Sequence, residues 1–403
     1  MRTSICYGVD CAATTRRWEG DYTLDYNYQA NIWGTYSSNR IYLADSFYQP
    51  LLDYVPMARR AAAAKNCSGL SFIGHIGPFG TAGTLAGISN GQFRGDMGIQ
   101  SNGVFVSINF VLHWEMTRDI AFLRSIAFPF VRDVFGLYKC LLHRRLDGSY
   151  IDLSDSDNEC DPPGTFVGGF DPRCTKPNVA DANAFIRRIA AALPSMADAL
   201  NEPIDSAWAD VAQHLVPLAV HGGVFTLCDV TNSTDRDAAA TPNASFRGPF
   251  APDCNGTASG WFGWPGEAVT LNDTREVLET AQRTLAAAAL WSQGNSLCSI
   301  FASAARVGLS VDDIVPHFHR AIAPCVPNKT SGSPNAVGVT CTLPNGVVFQ
   351  EGGGLEIVGG AEFVNSLLVQ SIVAHDGSGE SYITLLPWVS RQGGVGGFQH
   401  NVI

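Results

Sequence analysis

Stretches of helical hydrophobic periodicity alternate along this chain with long loops rich in Gly, Pro and Asp, and that alternation limits what it can fold into. Between Asn39 and Lys65 the apolar residues Ile41, Leu43, Phe47, Leu51, Leu52, Val55 and Ala58 recur at the spacing of one helix face. The same reasoning predicts helices over 103–123, 125–143, 180–200, 205–218, 273–289, 295–307, 311–323 and 362–374. The helix at 273 follows Asn272-Asp273-Thr274, with Glu276 in its first turn, a helix-start pattern. Loops over 74–103, 152–178, 229–266 and 324–354 divide the helices into pairs, joined alternately by short turns and long loops. Strand patterning is sparse, mainly near 338–349 and 382–388, and no short fixed repeat suggests a solenoid. The expectation is one large, mostly α domain over residues 1–403, a toroid of helical hairpins whose loops build a cleft on one face. Residues 1–20 read as the remnant of a lost N-terminal region, and 375–403 as the start of a C-terminal β segment.

Charge narrows the function. Charged residues make up 16% of the chain, the formal net charge is -11, and no run of Lys or Arg stands out. Phosphate neutralisation needs clustered cations, so no nucleic-acid partner is expected. No stretch of 18 apolar residues exists, so no membrane span is expected either. Met1 to Cys11 has no apolar core of a signal peptide. Neither CxxC nor HExxH occurs, so no metal site or cofactor is predicted.

The eleven Cys point to an oxidising compartment. Cys160 with Cys174, Cys228 with Cys254 and Cys325 with Cys341 lie in Gly/Pro/Asp-rich loops that cannot hold themselves by apolar burial, and these pairs are predicted to be disulfides. Glycosylation sequons at Asn66, Asn232, Asn243, Asn255, Asn272 and Asn328 agree with a secreted or lumenal location. Reduced core cysteines in a cytosolic protein are the alternative. Eight Trp suit a sugar-binding cleft, and equally a large core.

Four loop segments carry candidate chemistry. In the first, polar Asp25, Asn27, Gln29 and Asn31 alternate with Tyr26, Tyr28, Ala30 and Ile32, ahead of Trp33. Period two predicts an extended segment whose polar face grips sugar hydroxyls or a water, or else an exposed edge. The second runs Asp152 to Cys160 and contains Asp155, Asp157 and Glu159. Crowded carboxylates raise one another's pKa, which suits a general acid; a solvated acidic loop is the plain alternative. The third, Phe349 to Glu356, carries Glu351 and Glu356 at the start of a helix expected to run to Ser371, where a carboxylate is held as the anion or simply caps. The fourth places His75 in a Gly/Pro loop, with Gln100, Ser101 and Asn102 before the next helix; a structural histidine is the alternative there.

Together these residues resemble glycoside hydrolase family 95, the α-L-fucosidase family. Its signature pairs Asn-x-Asn with a following Gln, Asn and Trp, and here reads Asp25-Tyr26-Asn27, Gln29, Asn31 and Trp33. Glu159 falls where the family carries its general acid. Gly359–Ser371, followed by Ile383-Thr384-Leu385-Leu386-Pro387-Trp388, resembles the closing helix and the strand after it. Glu356 is the nearest match to the catalytic Asp before that helix, and Glu351 is its rival. The resemblance implies an (α/α)6 barrel in which an Asn, polarised by a carboxylate, activates water. Asp25 stands where the family has Asn, so it is a further candidate for that work. Asn31, Trp33, His75, Gln100 and Asn102 are then the substrate-binding candidates. The implied activity is inverting, exo-acting hydrolysis of an α-L-fucoside or related α-L-galactoside in oligo- or polysaccharides. A non-catalytic carbohydrate-binding or structural glycoprotein is the second reading, and a phosphorylase on a similar barrel the third. The flanking β-sandwich domains of the family are not in this sequence.

Overall fold

The computed structural model describes residues 22–24, 26–82, 88–89, 92–93, 99–153, 155–156, 176–229, 257–292, 298–322, 341–342, 348–349, 360–373, 381–385 and 399–401. Eleven α-helices appear among them: α1 (Asn27–Ser37), α2 (Asp45–Ala64), α3 (Asn102–Thr117), α4 (Ile120–Phe122), α5 (Phe128–Leu141), α6 (Ala180–Leu200), α7 (Ser206–His214), α8 (Arg275–Ala288), α9 (Ile300–Arg306), α10 (Val311–Ile322) and α11 (Ala361–Leu368). Short antiparallel strand pairs decorate the loops: β1 (Tyr22–Thr23) with β2 (His75–Ile76), β3 (Ile88–Ser89) with β4 (Gln92–Phe93), β5 (His143–Arg144) with β6 (Tyr150–Ile151), β7 (Val220–His221) with β8 (Val224–Phe225), and β9 (Cys341–Thr342) with β10 (Val348–Phe349). A three-stranded antiparallel sheet follows α11: β11 (Val369–Val373), β12 (Ser381–Leu385) and β13 (Gln399–Asn401).

Six elements close into an inner ring. Helix α1 meets α3 where the Trp33 indole donates to Asn109 Oδ1 at 3.0 Å and Asn109 Nδ2 donates to the Gln29 carbonyl at 3.2 Å. Helix α3 meets α6 through Phe105 and Phe185, stacked at 4.4 Å between centroids. Helix α6 meets the turn over residues 260–266, so closely that a methyl on Gly266 would stand 2.7 Å from Ala184 Cβ. That turn meets α9, where Ser303 Oγ donates to the Gly260 carbonyl at 2.7 Å and accepts from the Trp264 N–H at 2.8 Å. Helix α11 packs on α9 through Phe301 and Phe363, 5.6 Å between centroids. It closes the ring on α1, where Asn365 Nδ2 donates to the Gly34 carbonyl at 3.2 Å. Helices α2, α5, α7, α8 and α10 lie outside, and one apolar cluster runs through both layers. The fold is the mostly helical (α/α)6 barrel expected.

Chain direction fixes where loops gather. Each inner element passes to its outer partner by a short turn: 38–44, 118–127, 201–205, 267–274 and 307–310. Four of the five outer elements return by long connections, over 65–101, 142–179, 215–259 and 323–360, and α8 by a shorter one over 289–299. The long loops therefore collect at the end of the ring where the inner helices begin.

Three local expectations are corrected. The segment from Asn27 is helical, not extended. Only Asn27 and Asn31, four apart, share a face, while Gln29 turns inward and its Nε2 donates to the Leu24 carbonyl. The contacts of Trp33 with Asn109 and of Gly34 with α11 override the two-residue pattern. Likewise the helix predicted over 362–374 stops at Leu368. The β-branched Val369, Ile372 and Val373 pass into β11, paired in register with β12 (Val369↔Leu385, Val373↔Ser381). The helix expected over 103–123 ends at Thr117, where Arg118 turns left-handed (φ 54°) and Asp119 caps α4.

Candidate active site

The mouth of the ring is built from the segments that enter it. Tyr22 and Thr23 pair with Ile76 and His75, and the Leu24 N–H reaches the Gly74 carbonyl at 2.7 Å. This brings the first and fourth candidate loops together. The chain then turns at Tyr26, whose φ of 122° lies in the left-handed region. A non-glycine residue there costs about 1–3 kcal/mol, and such strain gathers at functional sites. Asn27 follows as the first residue of α1 and is half-buried. One turn on, Asn31 holds a buried Oδ1 with no hydrogen-bond partner among the described residues. A buried acceptor in that condition is suited to a ligand hydroxyl.

Gln100, Ser101 and Asn102 lead into α3, all three buried. The Gln100 N–H donates to Asp155 Oδ1 at 2.7 Å, so the second candidate loop is tied to the mouth of α3. Asn102 Nδ2 donates to the Ile99 carbonyl at 2.9 Å, leaving its buried Oδ1 without a partner among the described residues. Burial, then the neighbouring Asp152, pushes the Asp155 carboxyl well above the usual carboxylate range. Asp181, in the first turn of α6, accepts from Ser259 Oγ, at the lead into the neighbouring 260–266 turn, at 2.6 Å.

Aromatic rings line the wall from mouth to interior. Tyr26 and Trp261, both partly exposed, stand 5.6 Å apart between centroids. Trp261 packs on Trp33 at 5.8 Å, and Trp33 on Trp264 at 5.9 Å. Below Trp264 the Arg306 guanidinium lies 4.0 Å from the ring centroid.

Arg306 belongs to a buried polar network that draws one member from each of the five ring helices and adds Glu267, just past the 260–266 turn. Ser37 of α1 donates to Glu362 of α11, Arg306 of α9 bonds Glu362 at 3.1 Å and Glu267 at 2.6 Å, and Arg188 of α6 pairs with Glu267 and with Glu115 of α3 at 3.0 Å. Burial lowers the pKa of both guanidiniums, and the carboxylates beside them oppose that. Ser37, Glu115 and Arg306 stand at or near the C-terminal ends of their helices, Arg188 lies inside α6 and Glu362 in the first turn of α11. The interior of the ring is thus filled by paired charge.

The candidate residues fall into three groups. Asn27 and Asn31 share the face of α1 at the mouth. Trp33, His75, Gln100 and Asn102 are buried in the wall; His75, 1% exposed, has Nδ1 3.4 Å from Thr23 Oγ1, and the Gln100 side chain accepts from Lys65 Nζ at 3.2 Å. Asp25, Glu159, Glu351 and Glu356 lie outside the described residues. Tyr26, Trp261, Asp181 and the ion network were not singled out in the sequence. Arg306 did carry a signal, a cation closing an otherwise uncharged helix.

Cys228 is in a disulfide whose partner lies outside the described residues, as do Cys160, Cys174, Cys254 and Cys325. A further disulfide joins Cys67 to Cys140, with Cα atoms 5.7 Å apart. Asn66 and Asn272 are exposed, and the other sequons are outside the described residues. Among the described residues no helix is long and apolar enough to cross a membrane, and no group of His, Cys, Asp and Glu is arranged to hold a metal.

The sequence profile of the glycosyl hydrolase family 95 catalytic domain matches residues 7–217. No curated protein matches the sequence. Among solved structures, the fold is similar to that of a protein from the human microbiome assigned as a kojibiose phosphorylase, with a TM-score of 0.57 and 8% identity. The match covers 91% of this chain and 54% of that one, so this chain spans about half its length. At that identity the likeness is one of fold.

Proposed function

The chain belongs to glycosyl hydrolase family 95, and on that premise we propose that it is an inverting, exo-acting glycosidase for terminal α-L-fucosyl or α-L-galactosyl residues of oligo- or polysaccharides. The observation that carries the reading is the ring itself. Its long connections enter at the end where Tyr26, Asn27, Asn31 and Trp261 stand, and a buried charge network fills its interior. A ring filled in this way has no open channel for a chain to thread, which suits the last sugar of a chain better than an internal one. The disulfide Cys67–Cys140 and the exposed sequon residues Asn66 and Asn272 support a secreted or lumenal setting.

In the proposed mechanism Glu159 protonates the leaving oxygen. Asn27, polarised by Glu356 or Asp25, with Glu351 as the rival, orients the water that attacks the opposite face of the sugar. Asn31 offers its unpaired oxygen to a sugar hydroxyl. Tyr26 and Trp261 supply an aromatic edge, and Trp33, His75, Gln100 and Asn102 hold the wall in place.

The test is a panel of nitrophenyl and unactivated glycosides, with product anomers followed by NMR and with phosphate present or absent. The expected result is hydrolysis of the α-L-fucoside or α-L-galactoside, release of the inverted anomer, and no dependence on phosphate. Glu159→Gln should lower kcat by at least about 10²-fold on unactivated substrates and less on activated ones. Sugar binding without turnover across the panel would replace the proposal with a carbohydrate-binding protein, and phosphate-dependent cleavage with a phosphorylase.

A further inference from the structure

Asp155 is fully buried and stands apart from the buried charge network. Its Oδ1 accepts two backbone N–H groups, from Gln100 at 2.7 Å and from Ser156 at 2.8 Å. Its main chain is held from the other side, with Asp155 N–H donating to the Lys176 carbonyl at 3.2 Å and Lys176 N–H to the Asp155 carbonyl at 2.7 Å. One residue thus ties together three stretches: the lead into α3, the start of the loop after β6, and the lead into α6. Oδ2 is buried with no hydrogen-bond partner among the described residues. The groups around the clip come from several elements. Asp152 and Ser156 are on its own loop, and Ser101 precedes α3. The Tyr138 hydroxyl of α5 donates to the Gln100 carbonyl at 3.0 Å, and Lys65 at the end of α2 holds the Gln100 side chain.

We propose that Asp155 is a positioning residue: its two Oδ1 hydrogen bonds pin the start of the loop that carries Glu159 against the mouth of α3. The proposal rests on the reading of Glu159 as general acid. The carboxyl serves here as a shaped acceptor. Burial and Asp152 push its pKa up while the hydrogen bonds from Gln100, Ser156 and Ser101 oppose them, and Oδ1 accepts in either protonation state. An amide of the same shape can do likewise, whereas a methyl leaves two buried N–H groups bare.

The experiment compares Asp155→Ala, Asp155→Asn and Glu159→Gln on two substrates of the same sugar, a glycosyl fluoride, which needs little protonation to leave, and an oligosaccharide. Hydrogen–deuterium exchange at the Gln100 and Ser156 amides is followed in parallel. Asp155→Ala should lose protection at both amides. It should lose about tenfold more kcat on the oligosaccharide than on the fluoride, a part of what a general acid contributes. Asp155→Asn should keep both the protection and the activity. Unchanged protection in Asp155→Ala, equal losses on the two substrates, or an Asn variant as impaired as Ala would each overturn the proposal. If Glu159→Gln spares both substrates, the general-acid reading fails instead, and the exchange data alone then decide whether Asp155 pins the loop.

Discussion

Asp155 shows how a single side chain couples local chemistry to pH. Folding places its carboxyl where burial and Asp152 hold the proton on, above the ordinary value of 3.8. Between that value and the raised one, the folded chain carries a proton that the unfolded chain has given up. Stability therefore declines as pH rises through this window and levels off once Asp155 ionises in the fold. Asp155→Asn has no such proton, so its stability should fall less over the same range. Urea-unfolding midpoints of the two proteins, measured from pH 4 upward, check this; parallel curves would mean that Asp155 is ionised throughout. The acidic run was visible in the sequence, but the identity of its buried member was not. That depends on Gln100, which is 55 residues away in the chain. The same distance problem hid the ring network, whose members run from Ser37 to Glu362.

Among the elements, the amphipathic helices were the most legible. Helix α6 has the predicted bounds of 180 and 200, because its apolar residues follow the helical period throughout. Helix α1 was read as extended, since its polar residues alternate and its helical form is dictated by partners far along the chain. The ring contacts also depend on small residues. A methyl on Gly263 would lie 2.8 Å from Ser303 Cβ and 3.0 Å from its Oγ, against a side chain already bonded to Gly260 and Trp264. Gly263→Ala should therefore destabilise the protein by roughly 1–3 kcal/mol, the cost of overpacking, read as a lower urea midpoint with an unchanged slope. A variant as stable as the parent would show that α9 and the 260–266 turn can separate freely.

For the whole molecule, the pairing of helices and the sidedness of the long loops were legible, because both follow from the order of apolar stretches and loops. The covalent link between Cys67 and Cys140 was not. The two lie 73 residues apart, outside the Gly/Pro/Asp-rich loops that drew attention to the other cysteines. It joins the end of α2 to the end of α5, beside the close approach of Gly69 to Gly136, where the Leu70 N–H reaches the Asp133 carbonyl at 3.0 Å. Replacing Cys67 and Cys140 together by Ser should cost about 2–4 kcal/mol, measured by chemical unfolding, with the barrel retained. No change in stability would mean that the packing of α2 and α5 already supplies the constraint.

The contact of Gly34 and Ser37 with α11 also has a temporal side. A ribosome lengthens a chain from its N-terminus, so α1 emerges before α11 and its flank stays bare until residues past 360 follow. During that interval the outer hairpins form from near neighbours, while the last seam waits for a partner more than 300 residues downstream. Pairings of such separation are slow to find and leave apolar surface open meanwhile. A nascent chain stalled before α11 would therefore carry an unclosed barrel, a natural object for a chaperone's attention.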